Sequence, residues 1–423
     1  MQVQLKPGVR LTVVPVSQFK NTQISVHFLE KATQEQTSYR SLLANILETS
    51  SQKFPNQRLV SEELSNLYGA GFGTSIMRKQ QIHDVTFSLA IANDHYLNTQ
   101  GALLTQGLAF LKEMIFKPLL DQQQFDSATF KRQQANLVTY IQALADDKQT
   151  YAALKLQQLY FDQNEVQKIP AFGEADTIAQ IKNRDLLAYY QQMLATDAVE
   201  IFVVGQVTLA EVQAQLSHWP LAARAIEKID IKKVQHDQRV MRVQTETQPV
   251  VQAKLNLAYD FPTDFRNAAY YAGITFNALF GGSPLSKLFL NVREKASLAY
   301  YASSNIDVFN GLMVVQTGIN TADKARVLKI IEQQLTDIER GEFTDENVAQ
   351  IKAGLVSNYI ASLDTERTYT ARALTNNLVK SAVTADQWIN AIQKVTREEI
   401  MAVAKKVRLQ AVYFLSAEGE ENA

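Results

Sequence analysis

The feature that most constrains this chain is an internal repeat. LVTYIQALADDKQTYAA (137–153) lies without gaps on LVSNYIASLDTERTYTA (355–371), pairing Leu137 with Leu355, Asp146 with Asp364 and Tyr151 with Tyr369. Further along, IAQIKNRDLLAYYQQML followed by VEIFVV matches INAIQKVTREEIMAVAKKV followed by AVYFL, with two extra residues in the second copy. One such match is weak, because any two amphipathic helices share apolar spacing. Two matches in the same order, each running into a change of pattern, point to a duplicated domain; the period is far too long for a solenoid. The expected division is a first α+β domain over 1–221, a polar, charged linker over 222–238 and a homologous α+β domain over 239–423. Each domain is expected to hold an antiparallel or mixed sheet with helices on one face.

At 423 residues, with 46% apolar and 20% charged side chains, the chain can bury two cores. Forty-two basic residues against 43 acidic ones give no electrostatic footprint for nucleic acid or an anionic membrane. The absence of cysteine excludes disulfides and thiolate metal sites. The first residues, MQVQLKPGVRLTVVPV, lack the apolar core of a signal peptide, and no segment has the ~18 continuous apolar residues of a membrane span, so the expected location is the cytoplasm.

Along the chain, alternation around Pro7-Gly8 predicts a hairpin over Gln2 to Val16 and a strand over Gln23 to Leu29. Helical spacing covers Ser38 to Ser50, Leu103 to Ile115, Asp121 to Leu144, Lys148 to Tyr160 and Arg184 to Leu194, the last capped by Asn183; a buried strand follows over Val199 to Val204. Gly69-Ala70-Gly71-Phe72-Gly73 follows a helix and opens a strand, the reverse of a dinucleotide-binding turn, so its glycines are read as ending that helix and starting an edge strand.

The most specific wording is Gly281 to Ser303, GGSPLSKLFLNVREKASLAYYAS. It reads as an amphipathic helix, with Leu285, Leu288, Phe289 and Val292 on one face, running into an aromatic strand. Arg293 in the last helical turn and Tyr300 at the strand start then meet at one junction. By physics alone the structural reading is favoured, with Arg293 as a helix-end charge and Tyr300 as a sheet residue.

This stretch resembles the second-half motif of the pitrilysin and insulinase family of zinc metallopeptidases, which includes mitochondrial processing peptidase. That motif has a Gly-rich loop, a helix ending in an Arg-Glu-Lys-like run, then Leu-Ala-Tyr; here Ser297 stands where the family often has glycine. The resemblance spans essentially the whole chain and implies two α+β domains facing each other as a clamshell around a peptide chamber. It also implies that Arg293 and Tyr300 help bind the peptide, and that a strand near Gly71 can pair with an extended substrate.

The family's zinc site resembles an inverted H-x-x-E-H motif with a carboxylate from a later helix. The matching segment here is Asn45-Ile46-Leu47-Glu48-Thr49, so both histidine positions are lost and only the base-like Glu48 remains; the later ligand falls near Tyr140. Of His27, His83, His95, His218 and His236, no two share helical ligand spacing. No zinc is expected on this chain. The pattern resembles the non-zinc subunit of bacterial two-subunit family members. It implies a homologous partner with H-x-x-E-H that carries the zinc, an unstructured peptide substrate, and catalytic roles for Arg293 and Tyr300 in substrate binding and oxyanion stabilisation in trans. A homodimer in isolation stays open, and so does the alternative of a structural or peptide-binding protein with no role in proteolysis.

Overall fold

The computed structural model describes residues 1–97, 102–225, 231, 240–265, 267 and 269–417. Most of the expected linker over 222–238 lies outside the described residues, as does His236. In chain order the elements that position the candidate sites are β1 (Gln2–Lys6), β2 (Val9–Pro15), β3 (Asn21–Lys31), α1 (Gln34–Thr49), β4 (Gly71–Lys79), β5 (Ile82–Ala92), α2 (Leu103–Phe116), α3 (Ser127–Ala143), α4 (Lys148–Tyr160), α5 (Asn183–Thr196) and β6 (Ala198–Gly205). The second half supplies β7 (Arg242–Gln248), β8 (Ala253–Asp260), α6 (Ala269–Phe280), β9 (Ala299–Asp307), β10 (Leu312–Ile319), α7 (Lys324–Arg340), α8 (Asp345–Ser362), α9 (Glu366–Val379), α10 (Arg397–Ala404) and β11 (Arg408–Ala417).

Among the described residues, one sheet runs β1-β2-β6-β3-β5-β4 and another runs β9-β10-β8-β11-β7. Without β1, the first order, β2-β6-β3-β5-β4, repeats the second read backwards, β7-β11-β8-β10-β9. The parallel pair falls at the same place in each, β2 with β6 and β7 with β11, while the other pairs are antiparallel. The α+β class with mixed sheets, expected from the duplication, is what the chain adopts.

The packing departs from a simple cut between halves. One compact unit contains 1–143, 169–230 and 363–378; the other contains 144–168, 231–362 and 379–423. Each half thus gives one helical segment to the opposite unit, whereas the sequence places a single boundary in the linker. The face of each sheet expected to lack helices is covered by this exchanged segment. In the second unit α4 buries Ala152, Leu156 and Tyr160 with Ala258, Ala411 and Tyr413. In the first, the 363–378 segment is anchored by polar contacts: Gln18 donates to the Leu363 carbonyl (2.8 Å), Asn377 to Glu200 (3.0 Å) and Lys79 to Thr375 (3.3 Å).

This cover explains the two-sided burial of β3. Its even positions Ile24, Val26 and Phe28 join the apolar core with Leu42, Leu43, Leu108 and Leu111 from α1 and α2. Its odd positions Gln23, Ser25 and His27 are polar and also buried. Two boundaries shift for local reasons. α3 starts at Ser127 because 120–125 folds into a small hairpin. Asn183 exchanges two hydrogen bonds with the Phe125 backbone (2.9 and 2.8 Å) and occupies the first helical position, so it is not the side-chain cap.

Candidate functional site

The segment that matches the metal motif lies at the C-terminal end of α1. Asn45 donates from Nδ2 to the Ser41 carbonyl (2.8 Å), and Thr49 donates from Oγ1 to the Ile46 carbonyl (3.0 Å). Both side chains are turned back on their own helix. Glu48 accepts from the Thr74 backbone N–H (2.8 Å) and the Thr74 hydroxyl (2.6 Å), which ties α1 to the edge strand β4. Charge-assisted bonds of this kind are worth about 1.5–3 kcal/mol each, so Glu48 acts as a clamp on β4. Tyr140 lies on α3 with 60% exposure, and it is Thr74 that partners Glu48. Among the described residues no three His, Asp or Glu side chains converge as a metal site. A zinc ion of the inverted-motif kind does not fit these residues.

Sequence reasoning missed the charged centre of α1. Arg40 is 1% exposed and donates from Nη1 to Asp197 (2.6 Å), Tyr189 (3.0 Å) and Glu30 (3.2 Å). It donates from Nη2 to the Phe28 carbonyl (2.6 Å) and from Nε to His83 Nδ1 (3.0 Å). Burial opposes the charge, yet Asp197 and Tyr189 hold Arg40 above its ordinary range. Asp197 is pushed up to about 6 because burial outweighs the pull of Arg40, and its Oδ1 has no partner. His83 is pushed down to about 3 by burial and by Arg40. The readable signal was one arginine inside the buried run from Thr37 to Leu47, since a charge in such a run must be paired.

The other histidine of this sheet is equally structural. His27 Nδ1 lies 2.8 Å from Asp84 and 2.9 Å from the Thr86 hydroxyl, and Nε2 lies 3.0 Å from the Ser25 hydroxyl. Burial would raise the Asp84 carboxyl, but His27 and Thr86 hold it below the usual range.

The helical turn that carries Arg293 runs into the strand that carries Tyr300, with differences from the expected helix. A π-helical turn spans Phe289–Lys295. Leu288 and Val292 are buried, as expected, while Leu285 is 49% exposed and lies in the loop before the helix rather than on its apolar face. Helical structure opens only at Lys287, so the apolar spacing carries the expected helix one turn too far back, to Leu285. Ser297 adopts the left-handed conformation (φ 53°) in place of glycine, and the end closes with Ser297 N–H on the Arg293 carbonyl and Leu298 N–H on the Val292 carbonyl, both at 3.1 Å. Arg293 stacks its guanidinium 4.7 Å from the Phe289 ring centre.

β9 then begins with a bulge. Ala299 pairs with Ile319 and Tyr301 with Gly318, leaving Tyr300 as the extra residue of an edge strand. Bulges re-aim side chains, and Tyr300 is 76% exposed while its neighbour Tyr301 turns inward to donate to Gln149. The Arg293 side chain is 45% exposed. Neither group is spent on packing a core.

The sequence description "Peptidase M16 inactive domain" matches residues 180–355. The chain is 31% identical over 418 residues to a Bacillus subtilis protein named "Probable inactive metalloprotease YmfF", covering 98% of this chain and 97% of that one. The chain belongs to the M16 peptidase family. Within it, the protein is an inactive-type, metallopeptidase-like member. A crystal structure of a conserved protein from Enterococcus faecalis V583 is similar at 42% identity and a TM-score of 0.94, covering 100% of this chain and 99% of that one. The peptidase M16 inactive domain from Pseudomonas fluorescens shares the fold at a TM-score of 0.80 and 16% identity, with 98% of each chain covered. Among the described residues no helix of this M16 protein is long and apolar enough to cross a membrane.

Proposed function

We propose that this M16 protein is the non-catalytic, substrate-binding subunit of a heterodimeric zinc metallopeptidase acting on unstructured peptides. The observation that carries the reading is the placement of Tyr300: a phenol 76% exposed on a bulge at a sheet edge, at the end of the segment that presents Arg293. A tyrosine retained for packing would be buried. The partner is a homologous subunit with the H-x-x-E-H motif, which supplies the zinc and the glutamate base. This chain supplies Arg293 as a donor to substrate carbonyls and Tyr300 as a donor toward the oxyanion.

Two expected results follow from that division of parts. After incubation with excess zinc and desalting, the purified protein should retain far less than one equivalent by atomic emission. Asn45 and Thr49 are poor replacements for two imidazoles, and both are engaged with their own helix. Stoichiometric zinc removable by a chelator would overturn this. Alone, the protein should leave a fluorogenic unstructured peptide uncut; mixed with an H-x-x-E-H homologue it should form a heterodimer that cuts it. Cleavage by the H-x-x-E-H homologue alone at the rate of the mixture would remove the subunit role and favour a structural or peptide-binding protein without part in proteolysis.

A further inference from the structure

The glycine-rich start of β4 leaves space that ending a helix and opening an edge strand do not require. Gly71 and Gly73 sit inside a strand, where glycine has an entropic cost and packs nothing. A Cβ added at either position meets no atom within 4 Å. The space they leave belongs to a cavity of about 490 Å³, a volume in the range of small-ligand sites. All its lining residues belong to the first compact unit.

The register makes the cavity's construction plain. Gly71 pairs with Ala90, Gly73 with Ser88 and Ser75 with Thr86, while Ser25 pairs with Ser88 and His27 with Thr86. These residues share the sheet face that α9 covers, so two missing side chains on the edge strand leave a gap between sheet and helix there. Were the glycines present only to end the preceding helix, Gly69 (φ 74°) would suffice.

The walls have a definite chemistry. Met77, Ala371 and Leu374 give an apolar part. Lys79 and Arg367 are the charged lining residues, and no Asp or Glu lines the cavity. Arg367 is exposed and makes no ion pair or hydrogen bond among the described residues. Thr370, one turn further along α9, is 8% exposed and its hydroxyl is buried without a partner. A buried hydroxyl with no partner is costly in an apo cavity and is satisfied by a ligand's acceptor.

We propose that this cavity is a binding site for a carboxylate carried on a short apolar body, with Arg367 and the Thr370 hydroxyl donating to the carboxylate and the apolar body filling the space above Gly71 and Gly73. The same chemistry is presented by the C-terminus of a peptide ending in an aliphatic residue and by a small branched fatty acid. The site needs no second subunit, so its test is independent of the heterodimer reading.

The experiment uses the full chain alone and calorimetric titration with three probes: acetyl-Ala-Ala-Leu as the free acid, the same peptide as its C-terminal amide, and 4-methylpentanoate. The free acid should bind and the amide should bind at least about tenfold more weakly, because it lacks the charge that Arg367 answers. Binding of 4-methylpentanoate as tight as that of the peptide acid assigns the site to a small acid; much weaker binding assigns it to a peptide terminus. Arg367→Ala should weaken the acid about tenfold, and Arg367→Lys less. Thr370→Val keeps the shape, removes the hydroxyl and should weaken it severalfold. Gly73→Leu should abolish binding with the melting temperature unchanged or raised, since it fills space in a strand that glycine weakens. The proposal is overturned if neither acid binds at millimolar concentration, if the amide binds as well as the acid, or if Arg367→Ala and Gly73→Leu both leave binding unchanged.

Discussion

Tyr300→Phe is expected to lower turnover of the reconstituted heterodimer about 10-fold or more while leaving the heterodimer assembled. The substitution removes one hydroxyl from a ring that is 76% exposed, so the fold loses almost nothing. A donor aimed at a developing oxyanion acts on the chemical step and is typically worth about 10² to 10³ in turnover. kcat and kcat/KM should therefore fall together. Arg293→Ala should lower kcat and also raise KM, because a donor to substrate carbonyls acts in the ground state too. Its stack on Phe289 is a local surface contact, so assembly should again persist. Size-exclusion chromatography and steady-state kinetics on one preparation separate assembly from chemistry. Two variants that assemble normally and cleave at the parental rate would make the pair structural and sink the subunit reading.

How much of this was legible in the sequence depends on what each pattern encodes. The repeat predicted two sheets of one topology, and the strand orders agree with it down to the single parallel pair. α4 starts at Lys148 after the Asp147 cap and ends at Tyr160, where the periodicity placed it. That periodicity says that Ala152, Leu156 and Tyr160 share an apolar face, but not which sheet receives it. For that reason the exchange of segments between units was invisible. The loss of zinc ligands could be read from Asn45 and Thr49 alone, whereas the second use of Glu48, holding Thr74, required the edge of β4 to be in view. A π turn and a β-bulge each insert one residue against a repeating pattern. Neither carries a sequence signature strong enough to show the change of winding before Arg293 or to predict the exposure of Tyr300.

The largest stability effect is expected at Arg40. Arg40→Met keeps the side-chain length and removes the cation, leaving the Asp197 carboxylate in a site where it is 0% exposed and strips Glu30 and the Phe28 carbonyl of a donor. Removing one partner of a buried pair typically costs about 3–5 kcal/mol. Trp219 lies in the first unit's core at 5% exposure, so urea titration followed by its fluorescence in a Trp388→Phe background reports that unit. The pH dependence has a definite sign. The Asp197 pKa is raised from 3.8 to about 6. Below the lower value both states hold the proton; between the two only the folded state does, so the stability from this group is present in acid and lost as pH rises through about 6. Without Arg40 the carboxyl is less acidic still, and His83, relieved of the neighbouring cation, takes a proton more readily. Both changes favour the folded variant in mild acid, so the Arg40→Met deficit should be greatest near pH 8 and smaller near pH 5.5. Asp197→Asn added to Arg40→Met should recover part of the loss at pH 8 and little at pH 5.5. A deficit under about 1 kcal/mol at pH 8, or one that grows in acid, would show that Arg40 does not neutralise Asp197 in the folded protein.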